Sequence, residues 1–183
     1  MKHFISLKKD NGLASVEMTV IVPILLIIMM GIFELTQVIQ ANNIIISISR
    51  EGANLISRNT TQTPEQVMDT VASTADPLDL KTDGIIYVNL VYGRAEGENP
   101  QLLEQYRWTN FGYSADSSTW NGCDTWDSNG ECDLPESEPE LNNFPLDLDE
   151  GEAVYVVEVI YRYSPISTYI FDSDFTIKEL TYL

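Results

Sequence analysis

The chain has 183 residues, with 28 acidic against 10 basic side chains and a formal net charge of −18. That length leaves room for one modest folded domain beside any membrane segment, and the charge excludes a nucleic-acid partner, which needs clustered Lys and Arg. His3 is the single histidine, and no G-x-S-x-G, P-loop or H-E-x-x-H pattern occurs, so no enzyme is expected.

The first element is apolar. Met18 to Phe33 is a run of sixteen residues without a charge, with Glu17 directly before it and Glu34 directly after it. Such a run spans ~24 Å as a helix, short of the ~30 Å of a bilayer core. Adding Leu13 to Val16 reaches that thickness but carries Glu17 into the lipid. An ionised carboxylate there costs at least ~2.5 kcal/mol and is rare without a use. Glu17 therefore either snorkels at the interface or meets a positive charge from another molecule. Glu34, where the helix leaves the bilayer, is expected to be an interface carboxylate in water. Pro23 removes one helical hydrogen bond and favours a kink, which membrane helices tolerate. No A-x-A site follows Phe33, so a cleaved secretory signal fits poorly. Lys2, Lys8 and Lys9 precede the run and the next basic residue is Arg50, which places the N-terminus in the cytoplasm and the rest across the membrane.

Helix is predicted to continue. Val38, Ala41, Ile45, Ile48, Gly52 and Ile56 recur at spacings of three and four and form one apolar stripe. Leu13 to Ser57 as one helix would span ~67 Å. Thr63, Pro64 and Gln66 make a start signal for a second helix over 64–75, with Val67, Met68, Val71 and Ala72 on one face. The remainder reads as β: strands over 84–93, 105–112 and 152–165, and an edge strand in 174–183 carrying Lys178 and Glu179. Along 152–165, Tyr155, Val157, Val159, Tyr161 and Tyr163 share a face that is expected to be core. A helix-packed antiparallel sheet follows.

Between the strands lies an acidic loop, 121–152, with eleven Asp or Glu, three Pro and both cysteines. Outside the cytoplasm Cys123 and Cys132 are most simply a disulfide. Asp124, Asp127, Asn129, Glu131 and Asp133, with Gly130 for a turn, are calcium-type ligands. Their spacing does not match an EF-hand, and a solvated loop without metal or other cofactor is expected.

The stretch GLASVE, Gly12 to Glu17, follows a short basic leader and opens an apolar helix. It resembles the processing site of type IV prepilins. The longer run from Gly12 resembles the TadE-like minor pilins, or pseudopilins, of tight-adherence (Tad) pili. Its landmarks are Gly12, Val16–Glu17, Pro23, Gly31-Ile32-Phe33-Glu34 and the REGAN segment at Arg50 to Asn54. The resemblance implies a prepilin peptidase that cuts between Gly12 and Leu13, here a leucine where alanine is commoner. It also implies that Glu17, then the fifth residue, offsets the α-amino group of a neighbouring subunit. The implied organisation is a cytoplasmic leader (1–12), a transmembrane and assembly helix (13–57, membrane part about 13–34) and an extracytoplasmic head (58–183). The implied fold is α+β and pilin-like, a long hydrophobic helix on a small antiparallel sheet. The implied partners are the major and other minor pilins, the peptidase, the inner-membrane assembly platform and lipid. The implied role is pilus biogenesis and surface adhesion from the inner membrane. Major Tad pilins are very short and almost all helix, so a head of this size implies a minor component. Two alternatives stay open at this point: a signal-anchored extracytoplasmic binding protein and a type II secretion pseudopilin.

Overall fold

The structure is a computed structural model that describes residues 11–58, 61–166 and 172–183. A single helix, α1 (Asn11–Arg58), dominates it; 48 residues give a rod of ~72 Å. It runs through Pro23 without interruption. After the turn, α2 (Pro64–Ser73) starts at a complete capping box. Thr63 Oγ1 accepts from the Gln66 amide at 3.3 Å, and Gln66 Oε1 accepts from the Thr63 amide at 3.1 Å. Two otherwise orphaned helix N–H groups are thereby satisfied. A one-turn helix not expected from the sequence, α3 (Leu80–Asp83), leads into the sheet.

Four strands follow: β1 (Gly84–Tyr92), β2 (Gln101–Arg107), β3 (Ala153–Tyr163) and β4 (Phe175–Tyr182). All pairs are antiparallel, in the order β2-β1-β3-β4. β1 and β3 are central and pair from Gly84↔Tyr161 to Tyr92↔Ala153. Their β-branched residues suit a sheet covered on both faces. The first face carries Ile86, Val88, Val157, Val159, Tyr163 and Ile177 and packs under α1 and α2, against Ile45, Ile48, Val67, Met68 and Val71. Full burial of such a side chain is worth ~1.5–3 kcal/mol, so this layer holds the helix to the head. The tyrosine-bearing side of β3 is thus core, as expected.

The second face is covered by the long segment between β2 and β3, with Ile85, Tyr87 and Ile160 beneath Phe111, Tyr113 and Trp126. The same segment shields the free edge of β2 through isolated bridges at Gln101↔Glu140 and Tyr106↔Glu131. β4 stands at the other edge, as expected for 174–183.

One strand departs from expectation. The segment predicted at 105–112 pairs instead over Gln101–Arg107. Trp108 leaves the strand because its indole turns inward: it is fully buried, and its Nε1–H donates to Asp69 Oδ1 on α2 at 2.8 Å. Gly130 pins the covering segment to the end of β2. Its carbonyl accepts from Arg107 N at 2.7 Å, its φ is +77°, and a Cβ there would fall 1.9 Å from the Arg107 carbonyl oxygen. Glycine is required on both counts.

Candidate functional site

α1 has two halves with opposite surroundings. From Val16 to Phe33 the large apolar side chains are exposed around the whole circumference, for example Val16 at 63% and Ile27 at 62%. The helix is long and apolar enough to cross a membrane, with a mean hydropathy of 2.5 over an 18-residue window. A helix apolar on every side must be covered by lipid or by other helices. Glu17 stands exposed at the start of this surface. Gly12 and Leu13 lie within the first turns of α1, whereas Lys2, Lys8 and Lys9 fall outside the described residues.

The head begins where the second acid sits. Glu34 is 1% exposed, not solvated at an interface as the sequence suggested. Its Oε1 accepts from the Tyr163 hydroxyl at 2.9 Å and from the Ile166 amide at 3.2 Å. The reason is helical phase. Glu34 lies four residues before Val38 and so continues the stripe that the head covers. The end of β3 arrives beside it, and the Tyr163 ring packs on Phe175 at 5.2 Å. Burial, and then the bond to Glu34, push the Tyr163 phenol up to about 12.

Farther along α1, Ser49 is fully buried. Its hydroxyl donates to the Val157 carbonyl oxygen at 3.0 Å and sits 2.9 Å from Thr181 Oγ1. Gly52 lets the helix pack closely on β3, where a Cβ would lie 3.2 Å from Val157 Cγ1. Glu34, Ser49 and Gly52 therefore fasten one face of the rod to β3 and β4. Gly52 was part of the predicted stripe. Ser49 was legible in retrospect, adjacent to Ile48 on the buried side, and Glu34 by its i−4 relation to Val38.

On the opposite face Glu158 is another buried carboxylate without a sequence signal beyond its central place in β3. It accepts from Ser117 Oγ at 2.7 Å and from Ser118 N at 2.9 Å, with Lys178 Nζ 3.8 Å away. Buried acids are tolerated when hydrogen-bonded in this way. Cys123 and Cys132 are disulfide-bonded, with Cα atoms 6.0 Å apart. Arg107 lies over the rings of Phe111 and Trp126, 4.8 and 4.5 Å from their centroids. Of the calcium-type residues, Asp127 turns inward on its own loop: Oδ1 accepts from Asn129 N at 2.8 Å and Glu131 N at 2.7 Å. Among the described residues no three His, Cys, Asp or Glu side chains converge on a point that could hold a metal ion.

The fold and the bare apolar half-helix define a class: an α+β protein whose long N-terminal helix is consistent with a single-pass membrane anchor. Residues 12–54, just under a quarter of the chain, match the family model described as TadE-like protein. Over that stretch the chain is similar to TadE-like proteins. No curated protein and no solved structure gives a match.

Proposed function

We propose that this chain is a minor pilin (pseudopilin) of a Tad-type pilus, cut by a prepilin peptidase between Gly12 and Leu13 and co-assembled into the pilus or its initiation or tip complex. The observation that carries the reading is a coincidence of boundaries. The family match over 12–54 falls within the single helix α1, with Glu17 exposed at the start of a surface the head leaves bare. In lipid that surface is solvated by acyl chains; in a filament it packs on like helices of the major and other minor pilins. The α-amino group freed at Leu13 is then a cation in an apolar bundle, and Glu17 of a neighbour supplies its counter-charge. At low dielectric such opposite charges attract strongly, while either alone is unfavourable.

The head faces the periplasm or the exterior in this reading. The lysines before α1 favour a cytoplasmic N-terminus, and a disulfide suits an oxidising compartment. The head stays fixed to the distal half of the rod through Glu34, Ser49 and Gly52 and is carried into the assembly intact, where it supports pilus biogenesis and surface adhesion.

The test is an intact mass from membranes of cells with and without an active prepilin peptidase. The expected result is loss of residues 1–12 only when the peptidase is active, and no loss in Gly12→Val. A full-length mass in both strains, or cleavage elsewhere, would overturn the reading in favour of a plain anchor.

A further inference from the structure

We propose that the head carries a binding cleft for a neutral saccharide on the sheet face opposite α1. The cleft has a volume of about 680 Å³ and is walled by residues 117–121 on one side and 140–145 on the other, with Leu180 and Tyr182 of β4 at its base. That size lies within the ~300–1,000 Å³ of small-molecule sites. Tyr182 pairs with Val156, seven residues before Tyr163 along β3. The cleft is thus displaced from the Glu34 junction by ~23 Å at ~3.3 Å per residue. It lies on the face of the sheet away from the helix.

One wall is held by buried polar side chains and the other by a backbone bond and an exposed amide pair. Glu158, fully buried, holds Ser117 and Ser118 through their hydroxyl and amide. Gln105, 1% exposed, donates from Nε2 to the Trp120 carbonyl oxygen at 2.9 Å. Across the cleft, Leu141 N donates to the Pro100 carbonyl oxygen at 2.9 Å, and Asn142 Oδ1 accepts from Asn99 Nδ2 at 2.9 Å. Phe144 stands edge-on to Tyr182 at 5.6 Å. The site is preformed, so little ordering opposes binding.

Its chemistry selects the ligand. In a chain of net charge −18 the one charged residue in the lining is Glu140, and Arg94 already engages it at 2.9 Å. Beside the cleft the Lys178 ammonium bonds the Ser118 hydroxyl and lies 3.8 Å from buried Glu158, so the charges at the site are already paired and neither an ion nor a charged peptide has a free counterpart there. Trp120, Phe144 and Tyr182 supply aromatic surface, while Asn121, Asn143 and the Asn142 side-chain N–H groups offer neutral donors and acceptors. Flat apolar faces edged with neutral donor–acceptor groups match a pyranose, which has a C–H face and a rim of hydroxyls. This inference does not depend on the pilin reading.

The experiment uses the full chain in a phosphocholine detergent, which lacks a sugar headgroup. Cellotetraose, chitotetraose and a capped neutral tetrapeptide are titrated, with tryptophan fluorescence and saturation-transfer NMR as readouts. The expected result is saturable binding of at least one tetrasaccharide and none of the peptide. Asn142→Ala, at an exposed lip, should weaken binding about tenfold, the value of one good hydrogen bond. Trp120→Phe should bind but lose the fluorescence change, because Trp108 is enclosed in the core and Trp126 lies outside the cleft. Absence of saturable binding by both sugars at millimolar concentration, binding of the peptide alone, or unchanged affinity in Asn142→Ala would overturn the proposal.

Discussion

Replacing Glu34 by alanine tests whether the rod and the head form one mechanical unit. The carboxylate accepts from the Tyr163 hydroxyl at 2.9 Å and the Ile166 amide at 3.2 Å, and it is 1% exposed. Alanine leaves both donors without that acceptor. A buried donor left unsatisfied costs about 1–3 kcal/mol, so Glu34→Ala should destabilise the head by about 2–6 kcal/mol. Glu34→Gln keeps an amide oxygen in place. Bonds to a charged acceptor are worth about 1.5–3 kcal/mol each and neutral ones about 0.5–1.5, so over two bonds Gln should cost about 2–3 kcal/mol. Tyr163→Phe removes one of the two donors. Since the two side chains touch, a double-mutant cycle with Glu34→Gln should show a coupling of about 0.5–3 kcal/mol. The assay is denaturant unfolding of the full chain in detergent micelles, read by near-ultraviolet circular dichroism of the head. If Glu34→Ala lies within ~0.5 kcal/mol of wild type, as a solvated surface substitution would, the junction is not held by this carboxylate. A cycle that sums to zero would refute the Tyr163 contact while leaving burial of Glu34 standing.

Three further outcomes are expected. Glu17→Gln should be exported and cut after Gly12 yet co-purify poorly with partner pilins, since breaking a buried pair costs ~3–5 kcal/mol; wild-type recovery would remove the pairing role. The Cys123–Cys132 bond should leave neither thiol open to alkylation in the folded protein, and the double serine variant should lose at most about 2–3 kcal/mol, the loop-closure value for so short a span; full labelling of both would contradict it. Alkali should unfold the head. Burial holds the Tyr87 and Tyr163 phenols at about 12 and raises Tyr106 as well. Their protonated forms are therefore favoured in the fold, and the stabilisation is complete below the ordinary value of ~10 and lost as pH climbs toward 12. Phenolate absorbance should rise together with loss of the fold, and ordinary titration of all nine tyrosines in an intact head would refute this.

Local pattern was enough to read the rod. Sixteen uncharged residues, lysines on one side only and a three-and-four stripe through Ile56 are properties of neighbours along the chain. The same holds for the Thr63 capping box and the alternating faces of β3, and the ordered landmarks from Gly12 to Asn54 carried the resemblance that the family model matches over 12–54. Contacts distant in sequence were not legible. Glu34 read as solvated because its partners, Tyr163 and Ile166, lie more than a hundred residues away and come beside it only when β3 folds back along α1. The strand at 105–112 was misplaced because Trp108 has the β-propensity of its neighbours, but its indole finds Asp69 on α2. Glu158 and Gln105 give no local sign of burial, since a polar side chain enters a core only where remote groups satisfy it. The cleft between 117–121 and 140–145 likewise exists only because those remote bonds hold its two walls apart.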